Sequence, residues 1–235
     1  MRVLALDTSA DITVTLVDTD GLVVLAARRV TEHRRHAELL APLVVEVLEE
    51  GGVHREELGA VVVGTGPAPF TGLRAGLVTA RTLAFALGVP VHGVCSLDVI
   101  AASAFDAAAA PGTVDPAAGA EEVVVATDAR RREVYTARYR RHPGRPGDVE
   151  LLDGPEVLRP ADLAVRVGPA AVVGPGATLY PEHLRAAAAP AHLDGAVLAR
   201  LALGRHAAGV PLPTEPLYLR RPDVTPSVSA KRATG

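Results

Sequence analysis

Lysine is almost missing from this chain: of 235 residues, only Lys231 is one. A phosphate-gripping lysine of the Walker type, or a Schiff-base lysine inside the fold, is thereby excluded. Cysteine occurs once, at Cys95. No internal disulfide can form, which fits a reducing cytoplasm. Serine is confined to positions 9, 96, 103, 227 and 229, none of them in a G-x-S-x-G elbow. No apolar run approaches the roughly 20 residues of a membrane helix. The opening MRVLALDTSAD reads as a first strand and lacks the features of a signal peptide. A formal charge of −3 gives no general pull toward nucleic acid or an anionic membrane.

Apolar residues make up 49% of the chain, enough for a substantial core. VLALDTS, ITVTLVD and LVVLAARRV read as three antiparallel strands, the last two joined at Asp20-Gly21. HAELLAPLVVEVLEEGG is a helix closed by glycine, AVVVGTG a buried strand, and 71–87 a helix closed by Gly88. A further strand, VPVHGVC, leads into a helix capped by Ser96. The order is βββαβαβα over residues 1–106. Residues 107–121, small and proline-bearing, read as a linker. Residues 122–216 then start again with two strands, VVVATDARRREVYTARYR, which superimpose on the first pair when Asp128 is set on Asp7. A short helix over ADLAVRV, a strand over AAVVGPGA and a helix over 192–209 follow. Residues 217–235 read as an extended tail.

Several residues invite chemistry. Asp7 and Ser9, at the end of a first strand and its turn, stand where actin-like and kinase-like folds approach phosphate and magnesium. The same aspartate would equally serve an ordinary hairpin by accepting turn amides. GTGPAPFTGLRAG combines freed backbone with a helix start, which suits anions, yet Pro67 and Pro69 each remove a donor. His33 and His36 are three apart but lack a third ligand with local spacing, so exposed histidines at a helix entry are favoured over a metal pair. Cys95 and His92 lie three apart on a strand and point to opposite faces. The arginine-rich ARRREVYTARYRR suits either RNA phosphates or a solvated hairpin edge.

Two helices carry a different signal. Around the helix from His36, the apolar residues cover about two-thirds of the circumference, more than the stripe of a little over ~100° that one sheet needs. In the next helix Gly72, Gly76, Ala80 and Ala84 recur every four residues as a ridge of minimal side chains, and Arg74 and Arg81 share one face. Both patterns point to close packing, with another subunit as the favoured recipient.

VLALDTS, HAELLAPLV, GPAPFTGLRAG, DARRREVYTARY and PLYLR, in that order, resemble the TsaB (YeaZ) family. The family form of the third block is G-P-G-S-F-T-G-L-R; Ala68 and Pro69 replace its glycine and serine here. The resemblance implies an α/β fold of two actin-like, ribonuclease-H-like subdomains with mixed sheets flanked by helices. It implies a non-catalytic partner subunit in tRNA threonylcarbamoyladenosine modification, pairing with the catalytic paralogue TsaD and with the ATPase TsaE, and touching tRNA indirectly. Alone, such a subunit would form a homodimer. The expected contact uses His36, Leu39, Leu40, Leu43, Val47, Phe70, Thr71, Gly72, Arg74 and Gly76. No cofactor is implied for the isolated subunit, and room is left for a nucleotide at the subunit junction. TsaD holds a metal through the histidines of an H-M-E-G-H motif; aligned on Val89-Pro90, those positions fall on Ser96 and Ile100. No catalytic or metal-ligating residue is assigned. The competing reading is a small-molecule phosphotransferase of the actin-like superfamily, working through Asp7.

Overall fold

A computed structural model describes residues 1–31, 35–109, 121–168, 170, 172–187 and 192–220. Strands β1 (Arg2–Asp7), β2 (Ile12–Asp18), β3 (Val23–Val30), β4 (Leu58–Gly64) and β5 (Val91–Val94) form a first sheet in the order β3-β2-β1-β4-β5. The first three run antiparallel; β4 and β5 join parallel, each through a crossover helix. Those helices are α1 (His36–Glu50) and α2 (Phe70–Leu87). Gly88, at φ 67°, closes α2 in the left-handed conformation that a side chain would resist. Helix α3 (Ser96–Ala109) follows, so the expected βββαβαβα order holds, and α3 reaches into the stretch read as linker. The remainder of that linker lies outside the described residues.

The second half contains β6 (Glu122–Arg130), β7 (Glu133–Arg141), β8 (Val149–Leu158), α4 (Pro160–Val167), β9 (Val172–Val173), α5 (Pro175–Leu179) and α6 (Gly195–Ala207). Its sheet has the order β8-β7-β6-β9. Up to α5 this is the first half's βββαβα again. The sequence pattern does not announce β8 and α5. LLDGPEVL carries a Gly-Pro step and charges, and pairs with β7 through shifted register. GPGATL reads as a turn because its helix is one turn long.

The duplication sits one residue away from the alignment that the aspartates suggest. Leu4, Leu6 and Val61 face the α1–α2 side of the first sheet, while Val124, Ala126 and Val172 face the α4–α5 side of the second. Leu4 pairs with Val61 as Val124 pairs with Val172. Because side chains alternate along a strand, these matches equate Asp7 with Thr127 and place Asp128 one step further on.

The last helix of each half crosses over. α3 packs on β6 to β9, and α6 packs on β1, β2, β4 and β5. The two therefore form a central helical layer between the sheets, with α1–α2 and α4–α5 outside. One core cluster runs through that layer, from Val3, Ala5 and Val62 through Leu97, Phe105 and Leu198 to Val125 and Tyr139. The seam is reinforced by ions. The Arg205 guanidinium donates to Asp98 Oδ2 at 2.7 Å and to Asp148 Oδ1 at 2.7 Å, and Tyr139 donates its hydroxyl to Asp98 Oδ1. Burial works against the Arg205 charge, but Asp148 and Asp98 outweigh it and raise its pKa.

Residues 210–220 are irregular but bound. Gly93 N–H donates to Leu212 O and Leu217 N–H to Thr65 O. Arg81 donates to Thr214, and Arg74 to the Tyr218 hydroxyl. The start of the stretch read as a tail is thus a strap across β5 and α2; residues 221–235 lie outside the described residues.

Candidate functional site

The ends of β1 and β6 open into a cleft of about 560 Å³ between the sheets, closed below by the start of α3 and at one side by the loop before α2. Asp7 stands at its floor, 1% exposed. Its Oδ1 accepts from the Ser9 N–H at 2.7 Å and the Ser9 hydroxyl at 2.6 Å, and its Oδ2 accepts from the Ser96 hydroxyl at 2.6 Å. Ser96 in turn accepts from Gly66 N–H. A side chain at Gly64 would collide with the Asp7 carboxylate, so glycine is what lets β4 pass. Burial pushes the Asp7 carboxyl above the usual carboxylate range, partly offset by the serine hydrogen bonds.

This arrangement bears on magnesium chemistry. A carboxylate that serves a cation needs free lone pairs and stable charge. Asp7 Oδ1 accepts two hydrogen bonds and Oδ2 one from the chain's own groups, and burial raises its pKa. Ser96 spends its hydroxyl on Asp7 instead of capping α3, a correction to the sequence reading. Ile100 lines the same cleft. The other face of the cleft offers Thr127 where a second strand-end aspartate would stand. Asp128, beside it, accepts from Arg130 N–H and pairs with the Arg130 guanidinium. At the mouth Arg29 pairs with Asp11 and contacts His192 Nδ1 at 3.3 Å. Burial and the Arg29 charge lower the His192 pKa.

The loop before α2 has two of its backbone donors engaged and two missing. Gly66 N–H is used by Ser96 and Thr65 N–H by Val94 O, while Pro67 and Pro69 have none. Cys95 is an inert thiol, pushed up by burial and the Asp98 charge. His36 is buried, its Nε2 3.4 Å from Ala10 O; His33 lies outside the described residues.

The contact residues expected on α1 and α2 need revision. Leu40 is 1% exposed, and Leu43 and Val47 are buried with it where α1 packs on β2, β3 and α2. The glycine ridge also turns inward: Gly76 is set against Thr8, whose hydroxyl donates to Gly72 O. These residues, with His36, are covered by the chain itself. The physical reason is that α1 lies in the corner between the first sheet and α2, so its wide apolar face is used by two neighbours. Leu39 remains half-buried and Arg74 exposed. The side chains of Phe70 and Thr71 lie outside what is described. A different apolar set faces outward on the same two helices: Val45 at 52%, Val78 at 61% and Phe85 at 90% exposure. Val78, Thr82 and Phe85 are spaced at i, i+4 and i+7, hence on one face, and Thr82 is exposed with the other two. The pair of large residues escapes the sequence reading because Arg81 and Thr82 lie between them.

Comparison with known proteins gives consistent results. The family described as "TsaD: tRNA N6-adenosine threonylcarbamoyltransferase" matches residues 29–163. The chain is 31% identical to the tRNA threonylcarbamoyladenosine biosynthesis protein TsaB of Bacillus subtilis, over 70% of this chain and 69% of that protein. It is 40% identical to an uncharacterised protein of Mycobacterium tuberculosis, over 95% of this chain and 94% of that one. Among solved structures it is similar to YeaZ from Pseudomonas aeruginosa, with a TM-score of 0.71 and 31% identity, covering 93% of this chain and 99% of that one.

Proposed function

From the premise that this chain belongs to the TsaB (YeaZ) family, we propose that it works in tRNA threonylcarbamoyladenosine biosynthesis as a non-catalytic subunit that binds and stabilises TsaD. The observation that carries this reading is the large apolar residues left in water on α1 and α2, Val45, Val78 and Phe85. A phenylalanine that leaves 90% of its surface in water, with Val78 on the same face and Val45 on the adjoining helix, is the composition of an interface anchor rather than of a solvated helix. The contact is made by these outward residues, flanked by Leu39 and Arg74, and the buried Leu40, Leu43 and Val47 hold the helices in position behind it. Without TsaD the same face closes a homodimer. TsaE and tRNA meet the pair through surfaces that the pairing creates.

The occupied Asp7 carboxylate weighs against the phosphotransferase alternative, and titration calorimetry with ATP and magnesium separates the two. A subunit of the kind proposed shows no tight binding alone. Tight binding that disappears in Asp7→Asn would overturn the proposal. The direct test is co-purification with TsaD of the same organism. Phe85→Glu places a charge where only the complex buries it, so it leaves the thermal midpoint of the free chain unchanged and weakens TsaD binding about 30-fold or more. Full binding by that variant rejects the contact.

A further inference from the structure

The hairpin between β6 and β7 holds an unusual backbone. Arg130 pairs with Glu133, which leaves Arg131 and Arg132 as a two-residue turn. Their φ angles are 55° and 61°, and Arg130, just before them, has φ 62°. Two central residues at positive φ make the primed turn that matches the twist of a hairpin, and the residues this turn prefers are Asn-Gly or Asp-Gly. A residue with a Cβ resists that region. Among the described residues, Leu22 is the one other non-glycine held there. In the first half the turn between β1 and β2, residues 8–11, has no residue at positive φ and folds Ser9 back onto Asp7. β6 instead runs on past Thr127 to Arg130. At about 3.3 Å per residue, its tip stands roughly 10 Å beyond the level at which β1 ends.

Cations collect at the same tip. Arg130, Arg131 and Arg132 are exposed, and Arg220, at the end of the strap, pairs with Glu133 and donates to Arg130 O. Arg130 pairs with Asp128 at 3.0 Å. Tyr180, half-buried at the end of α5, stands beside them: burial, Asp128 and Glu182 raise its pKa, and Arg132 and Arg130 oppose the rise. Among the described residues these four guanidiniums outnumber Asp128, Glu133 and Glu182, and Arg132 has no ion pair there. A hairpin that needed only a solvated tip would lose nothing by carrying Asn-Gly. Three consecutive arginines in a resisted conformation serve a ligand that takes several guanidiniums at once.

We propose that the β6–β7 tip, with Arg220 and Tyr180 beside it, grips the phosphate backbone of an RNA. Guanidiniums meet phosphate oxygens with paired hydrogen bonds, and a phenol adds a further donor. The choice of RNA among polyanions rests on the tRNA-modification reading above. The tip gives this chain a phosphate contact of its own, in addition to the surfaces that pairing with TsaD creates.

The test measures fluorescence anisotropy of a labelled, unmodified tRNA transcript titrated with the full chain at low salt. Saturable binding is expected, weakening as salt rises because counterions are released from the phosphates. The double variant Arg131→Asn with Arg132→Gly installs the pair that the turn prefers. It should weaken RNA binding about tenfold while raising the thermal midpoint of the free protein, since the turn is no longer resisted. Arg131→Lys with Arg132→Lys keeps the charge and should stay within about threefold of the parent. The Asn-Gly variant should still co-purify with TsaD, so failure of this contact and failure of the subunit reading are seen separately. Three results overturn the proposal: no saturable RNA binding, parental affinity in the Asn-Gly variant, or a lower midpoint in that variant, which would make the arginines structural. Polyglutamate that displaces the labelled RNA as well as unlabelled transcript does would assign the tip to an acidic polypeptide instead, and likewise overturns it.

Discussion

The two halves of this chain share the order βββαβα, and they differ in how much helix each lays on its outer face. The first half places 15 and 18 residues there, in α1 and α2; the second places 8 and 5, in α4 and α5. The long pair can bury a full stripe of leucine and valine and still carry Val45, Val78 and Phe85 on its far side. The short pair buries the apolar residues of its sheet but leaves a cavity beside Val124 and Arg138. One topology thus yields a surplus of apolar surface in one copy and a deficit of cover in the other. The first suits an interface, the second a cavity.

The strongest way to break this comparison is to separate the halves. Arg205→Met removes the cation between Asp98 and Asp148 and leaves two buried carboxylates facing one another. The expected loss is about 3–5 kcal/mol, read by urea unfolding. If the seam is what makes the halves one cooperative unit, the variant's transition becomes broader by fluorescence and circular dichroism together. An unchanged midpoint would show the halves to be joined by apolar packing alone.

Paired cavity mutations sharpen the contrast at a smaller scale. Leu40→Ala, beneath α1 at the corner of two neighbours, is expected to cost about 3–4 kcal/mol, and Leu163→Ala beneath the short α4 about 2, since the latter site can collapse or admit water. Equal losses would mean that the second half is as tightly packed as the first. Leu40→Glu is accordingly a folding mutation here, and the interface has to be probed at Phe85.

A weaker effect distinguishes the two strand ends. The folded state holds the Asp7 proton to higher pH than the unfolded chain does, because burial disfavours its charge. Between the unfolded value of 3.8 and the raised folded value, folding takes up a proton, so stability from this group falls as pH rises through that window. Asp7→Asn removes the slope, and its thermal midpoint relative to the parent should climb from pH 4 toward pH 7. The equivalent position, Thr127, has no such proton, and Thr127→Val should leave the pH profile unaltered. His92 tests the opposite sign. Burial, and the His206 ring 4.6 Å away, lower its pKa, so stability is fully present above 6.5 and declines as pH falls below it. His92→Gln should flatten that decline.

Much of the first half is legible in the sequence because its elements are long and each keeps one period. β1, β2 and β4 alternate or run apolar, and α1 and α2 end on glycine. Less of the second half is, since β8 is interrupted by Gly154-Pro155 and β9 has two residues. The strand-end aspartate of the cleft can be located from VLALDTS, but its state cannot. That state depends on Ser96, 89 positions away, which sequence spacing assigns to capping. The width of α1's apolar face is visible in the sequence and its recipient is not. Periodicity counts how much of a helix wants cover and is silent on whether one neighbour or two supply it. The outward pair of Val78 and Phe85 is hidden for the converse reason: two large apolar residues seven apart, with arginine and threonine at the positions between them on that face, raise no periodic signal.

The crossing of α3 and α6 has a consequence for how the molecule is made. The inner side of the first sheet, where Gly195 is set against Thr15, is covered by a helix that begins 193 positions after the sheet does. A ribosome therefore delivers five strands that stay bare on one side until residue 195 and the helix that follows it have emerged. The nascent first half cannot finish folding at the exit tunnel, and a product cut short before residue 195 would present that open surface to chaperones or proteases rather than survive as a free-standing domain.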